Sequence, residues 1–545
     1  MGAKLKFFKK HWLVFAVILC FLIKLWVVQI QPLYIRATDH DDGMFAKQAE
    51  AVLHGRWLGE YNDITLSKGV FGVLFIAATN YVSLDFLTCQ HIFYFLACVS
   101  ILHMLAHVVK SRAALFGCYL VLLFDPITYS ETFSTVYRDG VYISLVLFFI
   151  AFSFEIFFNR KSLGRVCAYS ALFGLTLTCI CFCREETVWL APYLVVAAAV
   201  TFLFILKDKA CLHKPQKLLA IAGIPIGCIA AAALVVGAIN FSHYGRFVTN
   251  DYTSRDFKAA YGAITRIRQQ NYVERVPLNE ETRHALYALS PKFKELEPYL
   301  EGKWTEKYKT NEDHDIQDGF LFWALRIAAR EAGHYENAAA ARDYYLALAA
   351  EVNALCDSGQ LDALPKRSTL TAPFYSALWD DIMEYIPLAF RAEAAYDYID
   401  VRIPVKVEDP LAYSRFQRIT GNSLVYGEGA TETVNMKLME GMLGLYRALN
   451  PALLILSLVC YGFLAAVFFK KKLYAQWHGR LLLLSGLFAL YVVRAVMVGY
   501  IAATAYTAAV FANRYISCIY PVQGLFSMLA ILFAAQYLLE RRKSA

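Results

Sequence analysis

The sequence predicts an all-α polytopic membrane protein of about ten spans, with a short interfacial or re-entrant helix and a mainly helical extracytoplasmic domain. Of its 545 residues, 58% are hydrophobic and only 18% are charged, against about 50% and about 25% in soluble domains. Apolar runs of about 20 residues, the length that crosses a bilayer, recur along the chain. Of the 45 acidic residues, only 15 lie outside residues 242–440, as expected if that stretch is exposed to water.

The spans are predicted from the apolar runs, and one shorter run is set apart from them. A run over 69–84 contains Asn80 and is short for a crossing. The predicted spans are 11–30, 86–109, 114–130, 141–158, 166–183, 187–206, 218–241, 451–469, 480–503 and 515–538.

The positive-inside rule decides how the run over 69–84 is treated. If this run lies at the interface or re-enters, all the basic clusters fall on one side of the membrane: residues 4–10, 110–112, 160–165, 207–217, 470–480 and 541–543. If it crosses, the three clusters between 110 and 217 move to the opposite side. We therefore expect both termini in the cytoplasm.

With this topology, every polar segment of unusual character faces outward. These segments are 31–68, "SETFSTVYRDG" (130–140), "REE" (184–186), an insert over 242–450 and 504–514. We predict a transmembrane module over 1–241 with a catalytic outer loop 31–68, an extracytoplasmic domain over 242–440, and a second transmembrane module over 441–545. The convergence of polar segments predicts a functional site at the outer membrane interface.

The cysteine and acidic clusters favour no metal site. Cys179, Cys181 and Cys183 lie in an apolar run, where they are expected to be small apolar side chains. "NEDHDIQD" (311–318) offers hard-metal ligand types but is more simply a solvated acidic turn. No cofactor is predicted, although a divalent metal stays open.

The outer loop 31–68 carries three close carboxylates, Asp39, Asp41 and Asp42, ahead of a stretch with helical spacing. An aspartate before a helix often serves as its N-cap, which accounts for one of them. Lys68 lies at the end of the same loop, before the short apolar run.

These residues resemble the GT-C superfamily of membrane glycosyltransferases, and most closely its protein O-mannosyltransferase and aminoarabinose transferase branch. The shared pattern is a first helix, an acidic pair (Asp41–Asp42), "A-x-x-x-L-x-G-x-W" (49–57) and "T-L-x-K-G" (65–69). "RDG" (138–140), "REE" (184–186) and "NRY" (513–515) also resemble elements of these enzymes. The chain departs from the family where Asp42 replaces a glutamate and Gly69 replaces a double proline.

The resemblance implies transfer of a sugar from a polyprenyl-phosphate carrier to a glycan, lipid or protein acceptor, with inversion, at the outer face of the cytoplasmic (inner) membrane. It also implies that membrane lipid is a partner and that nucleic acid is not. Asp41 is expected to be the general base, supported by Asp42 or Asp39. The cations expected to neutralise the donor phosphate are Lys68, Arg138, Arg184, Arg494 and Arg514.

Each cation also has a purely structural alternative. Arg184 could pair with Glu185 or Glu186, Arg138 could pair with Asp139, and Lys68 could snorkel. Arg514 could be an interfacial anchor, and Arg494, inside a span, could pair with Asp125 or another acid. At the level of function, a transporter or flippase of lipid-linked glycans and a polysaccharide polymerase or ligase remain as alternatives.

Overall fold

The computed structural model describes residues 2–36, 38, 41–271, 273–303, 305–309, 315–371, 374, 376, 378–405, 409–471, 474–505 and 515–544. These residues form α-helices, short 3-10 helices and isolated β-bridges, and they contain no strand. The predicted all-α polytopic fold class is confirmed.

Nine helices within the described residues are long and apolar enough to cross a membrane. Nine of the ten predicted spans coincide with them. They are α1 (Gly2–Val28), α4 (Phe86–Leu105), α7 (Asp139–Phe158), α8 (Leu163–Cys181), α9 (Ala191–Lys207), α10 (Lys214–Tyr244), α19 (Val434–Lys471), α20 (Tyr474–Thr504) and α21 (Tyr520–Ser544).

The remaining predicted span, 114–130, is a shorter helix followed by a turn. Helix α5 (Arg112–Leu123) ends before Asp125, and a 3-10 helix (Pro126–Tyr129) follows. The residue before a proline is driven away from helical geometry, and Asp125 has φ −60° and ψ 128°. Its carboxylate instead caps the 3-10 helix by accepting the backbone N–H of Ile127 (3.0 Å).

The apolar run over 69–84 forms a helix that is too short to cross. Helix α3 (Phe71–Tyr81) has 11 residues and is therefore about 16 Å long, half the thickness of a bilayer core. It packs against α2 (Asp41–Leu53), with Phe45, Val73 and Ile76 buried between them.

The insert is mainly helical, and its parts pack in two ways. Helices α11 to α16 share one apolar core, whereas α17 packs on α19 and α20, and α18 packs on α2 and α3. The predicted division into three domains stays a prediction. The bounds are α11 (Arg255–Thr265), α12 (Glu280–Leu289), α13 (Pro291–Lys294), α14 (Glu297–Leu300), α15 (Asp318–Glu331), α16 (Ala338–Asp357), α17 (Leu378–Ala395) and α18 (Pro410–Thr420).

Three polar loops meet at one end of the helix bundle, which we call the loop end. Gln31 donates to the carbonyl of Tyr129 (2.5 Å), and Tyr34 forms a β-bridge with Thr135. Helix α6 (Glu131–Ser134) lies between these two contacts. The turn at Gly69 packs closely against the third loop, which follows α8 and begins near Phe182. A Cβ atom at Gly69 would lie 2.1 Å from the carbonyl oxygen of Phe182.

Candidate active site

The acidic pair begins α2 at the loop end, and its two members differ in exposure. Asp42 is fully buried, and its Oδ2 accepts the backbone N–H of Arg36 (2.7 Å). Burial raises the pKa of Asp42 to about 7, and the Arg36 charge opposes this shift. Asp41 is partly exposed. Asp39 lies outside the described residues.

Asp139, the first residue of α7, places a carboxylate at the centre of the site, where it accepts hydrogen bonds from arginines. It is buried and accepts a bond from the Arg184 guanidinium. Arg36 lies 3.4 Å from its other oxygen. Arg184 also lies 2.9 Å from Glu186. The Asp139 carboxylate thus joins the loop that carries Arg36 to the loop that carries Arg184.

Arg138 forms a second ion pair beside the first. Its Nη1 lies 2.6 Å from Glu185 and donates to the carbonyl of Cys183 (2.8 Å). Glu185 in turn accepts the backbone N–H of Gly69 (3.1 Å) and lies 3.4 Å from the Asn250 amide. Glu185 therefore fastens α7, the Lys68 turn and the start of the insert together.

The three arginines at the loop end have N–H groups without an acceptor among the described residues. Arg36, Arg138 and Arg184 each bury an Nε–H group that has no hydrogen-bond partner among the described residues. A buried N–H without an acceptor is costly, and a multivalent oxyanion would satisfy several of them. Arg36 is a site residue that the sequence analysis did not single out.

Lys68 differs from these arginines because no carboxylate pairs with it within the described part of the chain. Its Nζ lies 4.7 Å from the ring centroid of Trp323. Burial and the nearby Arg138 charge lower the pKa of Lys68, while Asp41, Glu185 and Glu186 oppose the shift. Asp41 is therefore close enough to Lys68 to act on it electrostatically.

Arg494 lies in a spanning helix and contacts the site through Tyr515. It is fully buried in α20, its Nε donates to the carbonyl of Tyr515 (2.5 Å), and its guanidinium lies over the Trp189 ring. The ring of the same Tyr515 lies 5.4 Å from the Arg184 guanidinium. Asp125, the partner proposed for Arg494 from the sequence, instead accepts from Tyr396 (3.1 Å). Arg514 lies outside the described residues.

A cleft of about 620 Å³ opens beside this cluster, and we call it the lateral cleft. Its apolar wall comes from spanning helices and the turn before α9, with Leu177, Val188, Leu194, Ile229 and Ala233 among the lining residues. Its polar end is formed by Gly69, Arg184, Glu185, Asn250, Thr253 and Lys258.

The sequence analysis missed the residues that the insert contributes to this region. Asn250 and Thr253 lie between α10 and α11, Lys258 lies near the start of α11, and none of the three belongs to a motif. Their position just beyond a span, on the face where the other loops were predicted, was the available signal. Trp323 had no such signal, because it lies 255 residues from Lys68 in sequence.

The site groups cations, carboxylates and an amphipathic cleft at one end of the bundle. Such an arrangement can hold an anionic headgroup attached to an apolar chain and can present a carboxylate to a reacting hydroxyl or amine. Among the described residues, no group of three or more His, Cys, Asp or Glu side chains could hold a metal ion.

No protein-family model and no curated protein match this chain. Among solved structures, ArnT from Cupriavidus metallidurans in the apo state is 12% identical, with a TM-score of 0.32 over 95% of this chain and 78% of that chain. The oligosaccharyltransferase AglB from Archaeoglobus fulgidus, in complex with an inhibitory peptide and a dolichol-phosphate, is 12% identical, with a TM-score of 0.30 over 78% of this chain and 65% of that chain. Both are GT-C glycosyltransferases, the superfamily that the motifs resemble. At these TM-scores the likeness assigns no residue a role.

Proposed function

We propose that the chain is an inverting glycosyltransferase that moves a sugar from a polyprenyl-phosphate carrier to an acceptor at the outer face of the cytoplasmic membrane. The observation that carries this proposal is the lateral cleft. It joins an apolar wall made of spanning helices to a polar end that includes Arg184 and Glu185, the partner of Arg138. Gly69, the residue after Lys68, also lines this end. A polyprenyl phosphate has this same division, because its chain is apolar and its headgroup is an anion.

Lys68 is the foremost candidate to bind the donor phosphate. The charges of Arg138 and Arg184 are largely offset by Glu185, Glu186 and Asp139. Lys68 forms no ion pair among the described residues, so its ammonium is available to an incoming oxyanion. Arg138 and Arg184 support it with their remaining N–H groups. Arg494 contributes by holding Tyr515 against Arg184.

Asp41 is the better candidate for the base, because a base must reach the acceptor. It is partly exposed at the N-terminus of α2. Asp42 is closed off from solvent and bonded to the Arg36 backbone. We assign Asp42 the role of holding the loop in place.

The reaction needs one base and no general acid. Asp41 removes the proton of the acceptor hydroxyl or amine as that atom bonds to the anomeric carbon. The bond between this carbon and the phosphate oxygen breaks, and the phosphate leaves as an anion that needs no proton. Attack opposite the leaving group inverts the anomeric centre. Lys68 neutralises the charge that develops on the phosphate.

The decisive experiment compares Asp41→Asn with the wild type, in membranes supplied with labelled polyprenyl-phosphate sugars. We expect transfer to fall about 100-fold or more, with polyprenyl phosphate binding retained. Asp343→Asn, at an exposed position of α16, is the matched control and keeps full transfer.

Two outcomes would contradict the proposal. Full transfer by Asp41→Asn would remove Asp41 as the base. Failure of the purified wild type to bind polyprenyl monophosphate would exclude this donor class. It would favour a transporter or flippase of lipid-linked glycans, or a polysaccharide polymerase or ligase.

A further inference from the structure

We propose that Trp323, in the insert, is a positioning residue that holds the Lys68 ammonium in place for the donor phosphate. This inference rests on the proposed function, and it gives part of the insert a defined task in donor binding. The geometry that points to it is the ammonium of Lys68 over the Trp323 ring, 4.7 Å from its centroid.

The Trp323 ring is itself held rigidly. Only 8% of the residue is exposed. The ring stacks on Tyr252 at 5.3 Å with an interplanar angle of 15°, and Phe322 meets it edge-on at 5.5 Å. An ammonium placed on such a ring is restricted in turn, so the flexible lysine stem is ordered before any ligand arrives.

Neighbouring side chains of the same helix show that the contact belongs to a larger interface. Trp323, Arg326 and Arg330 follow one another at i, i+3 and i+7, which places them on one face of α15. Arg326 Nε donates to the carbonyl of Asp63 (2.7 Å), and Arg330 pairs with the Asp63 carboxylate (2.8 Å). Arg326 also pairs with Asp251 (2.8 Å). This face of α15 therefore holds the loop that carries Lys68.

A ring is a suitable holder for a phosphate-binding lysine. The π face attracts the cation without supplying a lone pair, so the N–H donors of the ammonium stay available for phosphate oxygens. A carboxylate in the same place would offset the charge and repel the incoming phosphate. The three arginines nearby also lie over rings, but each is paired with a carboxylate, whereas Lys68 contacts a ring and forms no ion pair among the described residues.

The ring also favours the charged form of Lys68. Burial and Arg138 lower the pKa of Lys68, and Asp41, Glu185 and Glu186 oppose that shift. Lysine carries its charge below its pKa, so donor binding is lost as the pH rises through that value. Removal of the ring takes away a stabiliser of the cation and moves this loss to a lower pH.

The test measures binding of polyprenyl monophosphate to the purified full-length protein across an alkaline pH series. Trp323→Leu is expected to weaken binding about tenfold and to move the alkaline loss of binding to lower pH. Trp323→Phe keeps a π face, so its affinity and the pH at which it loses binding are expected to lie between those of Trp323→Leu and the wild type. The matched control is Trp379→Leu on α17, where the tryptophan is 57% exposed, and it binds like the wild type.

The inference is overturned if Trp323→Leu binds within twofold of the wild type. It is also overturned if Trp323→Leu and Trp323→Phe lose affinity equally at every pH without moving the alkaline limb, since that pattern indicates only a packing role. A wild type that binds no polyprenyl monophosphate at any pH contradicts the proposed function itself, so the two failures are distinguishable.

Discussion

Two lysines of this chain lie in contrasting surroundings. Lys24, in the first span, is 1% exposed and donates to the carbonyl of Leu123 (2.6 Å) and the hydroxyl of Thr128 (2.7 Å). The rings of Tyr94 and Tyr129 lie within 5.2 Å of its ammonium. Lys68, at the loop end, contacts a ring and has no hydrogen-bond acceptor within the described part of the chain.

The difference separates a structural cation from one that is prepared for a ligand. Two of the three N–H donors of Lys24 are bound to groups in the segment around Asp125, so this lysine ties α1 to the end of α5. The donors of Lys68 have no acceptor among the described residues, and the next residue, Gly69, lines the lateral cleft. A buried lysine therefore predicts a ligand only when its donors lack partners within the protein.

The largest expected effect comes from loosening the loop that carries Lys68. Arg326→Met leaves Asp251 buried without its cation, and such a loss costs about 3–5 kcal/mol. Thermal unfolding is expected to shift to lower temperature, and polyprenyl phosphate binding is expected to weaken with it. A variant with wild-type stability and binding would show that α15 does not hold this loop.

Lys68→Met is expected to reduce binding without reducing stability. Loss of a charge-assisted bond to phosphate corresponds to about 100-fold in affinity. The melting temperature should stay the same, because the ammonium has no carboxylate partner to leave behind. Lys68→Arg is the control that keeps the charge. If Lys68→Met unfolds early and binds normally, the contrast between the two lysines is wrong.

Lys24→Met is expected to show the opposite pattern. It leaves the Leu123 carbonyl without its donor, at a cost of about 1–3 kcal/mol. Unfolding should shift to lower temperature while the affinity for polyprenyl phosphate stays within twofold, as measured on the same preparations used for Lys68→Met. A large loss of affinity at unchanged stability would assign Lys24 to the binding site.

The last prediction concerns the pH dependence of stability. Asp42 has its pKa raised by burial to about 7 in the folded protein, against about 3.9 in an unfolded chain. The folded state therefore binds the proton more tightly, and stability falls as the pH rises from about 4 to about 7. Asp42→Asn should flatten this part of the profile in a series of thermal melts. An unchanged slope would contradict the role of Asp42.

The sequence was sufficient for those features that depend on local composition. Hydropathy located the spanning helices, and the short helix α3 was predicted because charge on neighbouring loops excluded a crossing. The approach of the loops at one end followed from the same topology. The helix break at Asp125 was missed because the surrounding residues are apolar, although Pro126 was the available signal.

The ion-pair partners of the site arginines could not be predicted from the residues next to them in the sequence. Arg138 was weighed against Asp139, the next residue, but it pairs with Glu185. Arg184 was weighed against Glu185 and Glu186, and it reaches both Glu186 and Asp139. Adjacent residues at the start of a helix point in different directions, so pairing was decided by packing between helices. The contact of Trp323 with Lys68 depends on the same long-range packing.

The lateral cleft has a consequence for how the rate would be measured under the proposed function. Its apolar wall belongs to spanning helices, so a carrier enters and leaves by diffusing within the bilayer. Turnover should then follow the mole fraction of carrier among the lipids and not its amount per volume of solution. Fusing enzyme-bearing vesicles with empty ones should slow the reaction, whereas adding buffer should leave the rate of each enzyme molecule unchanged.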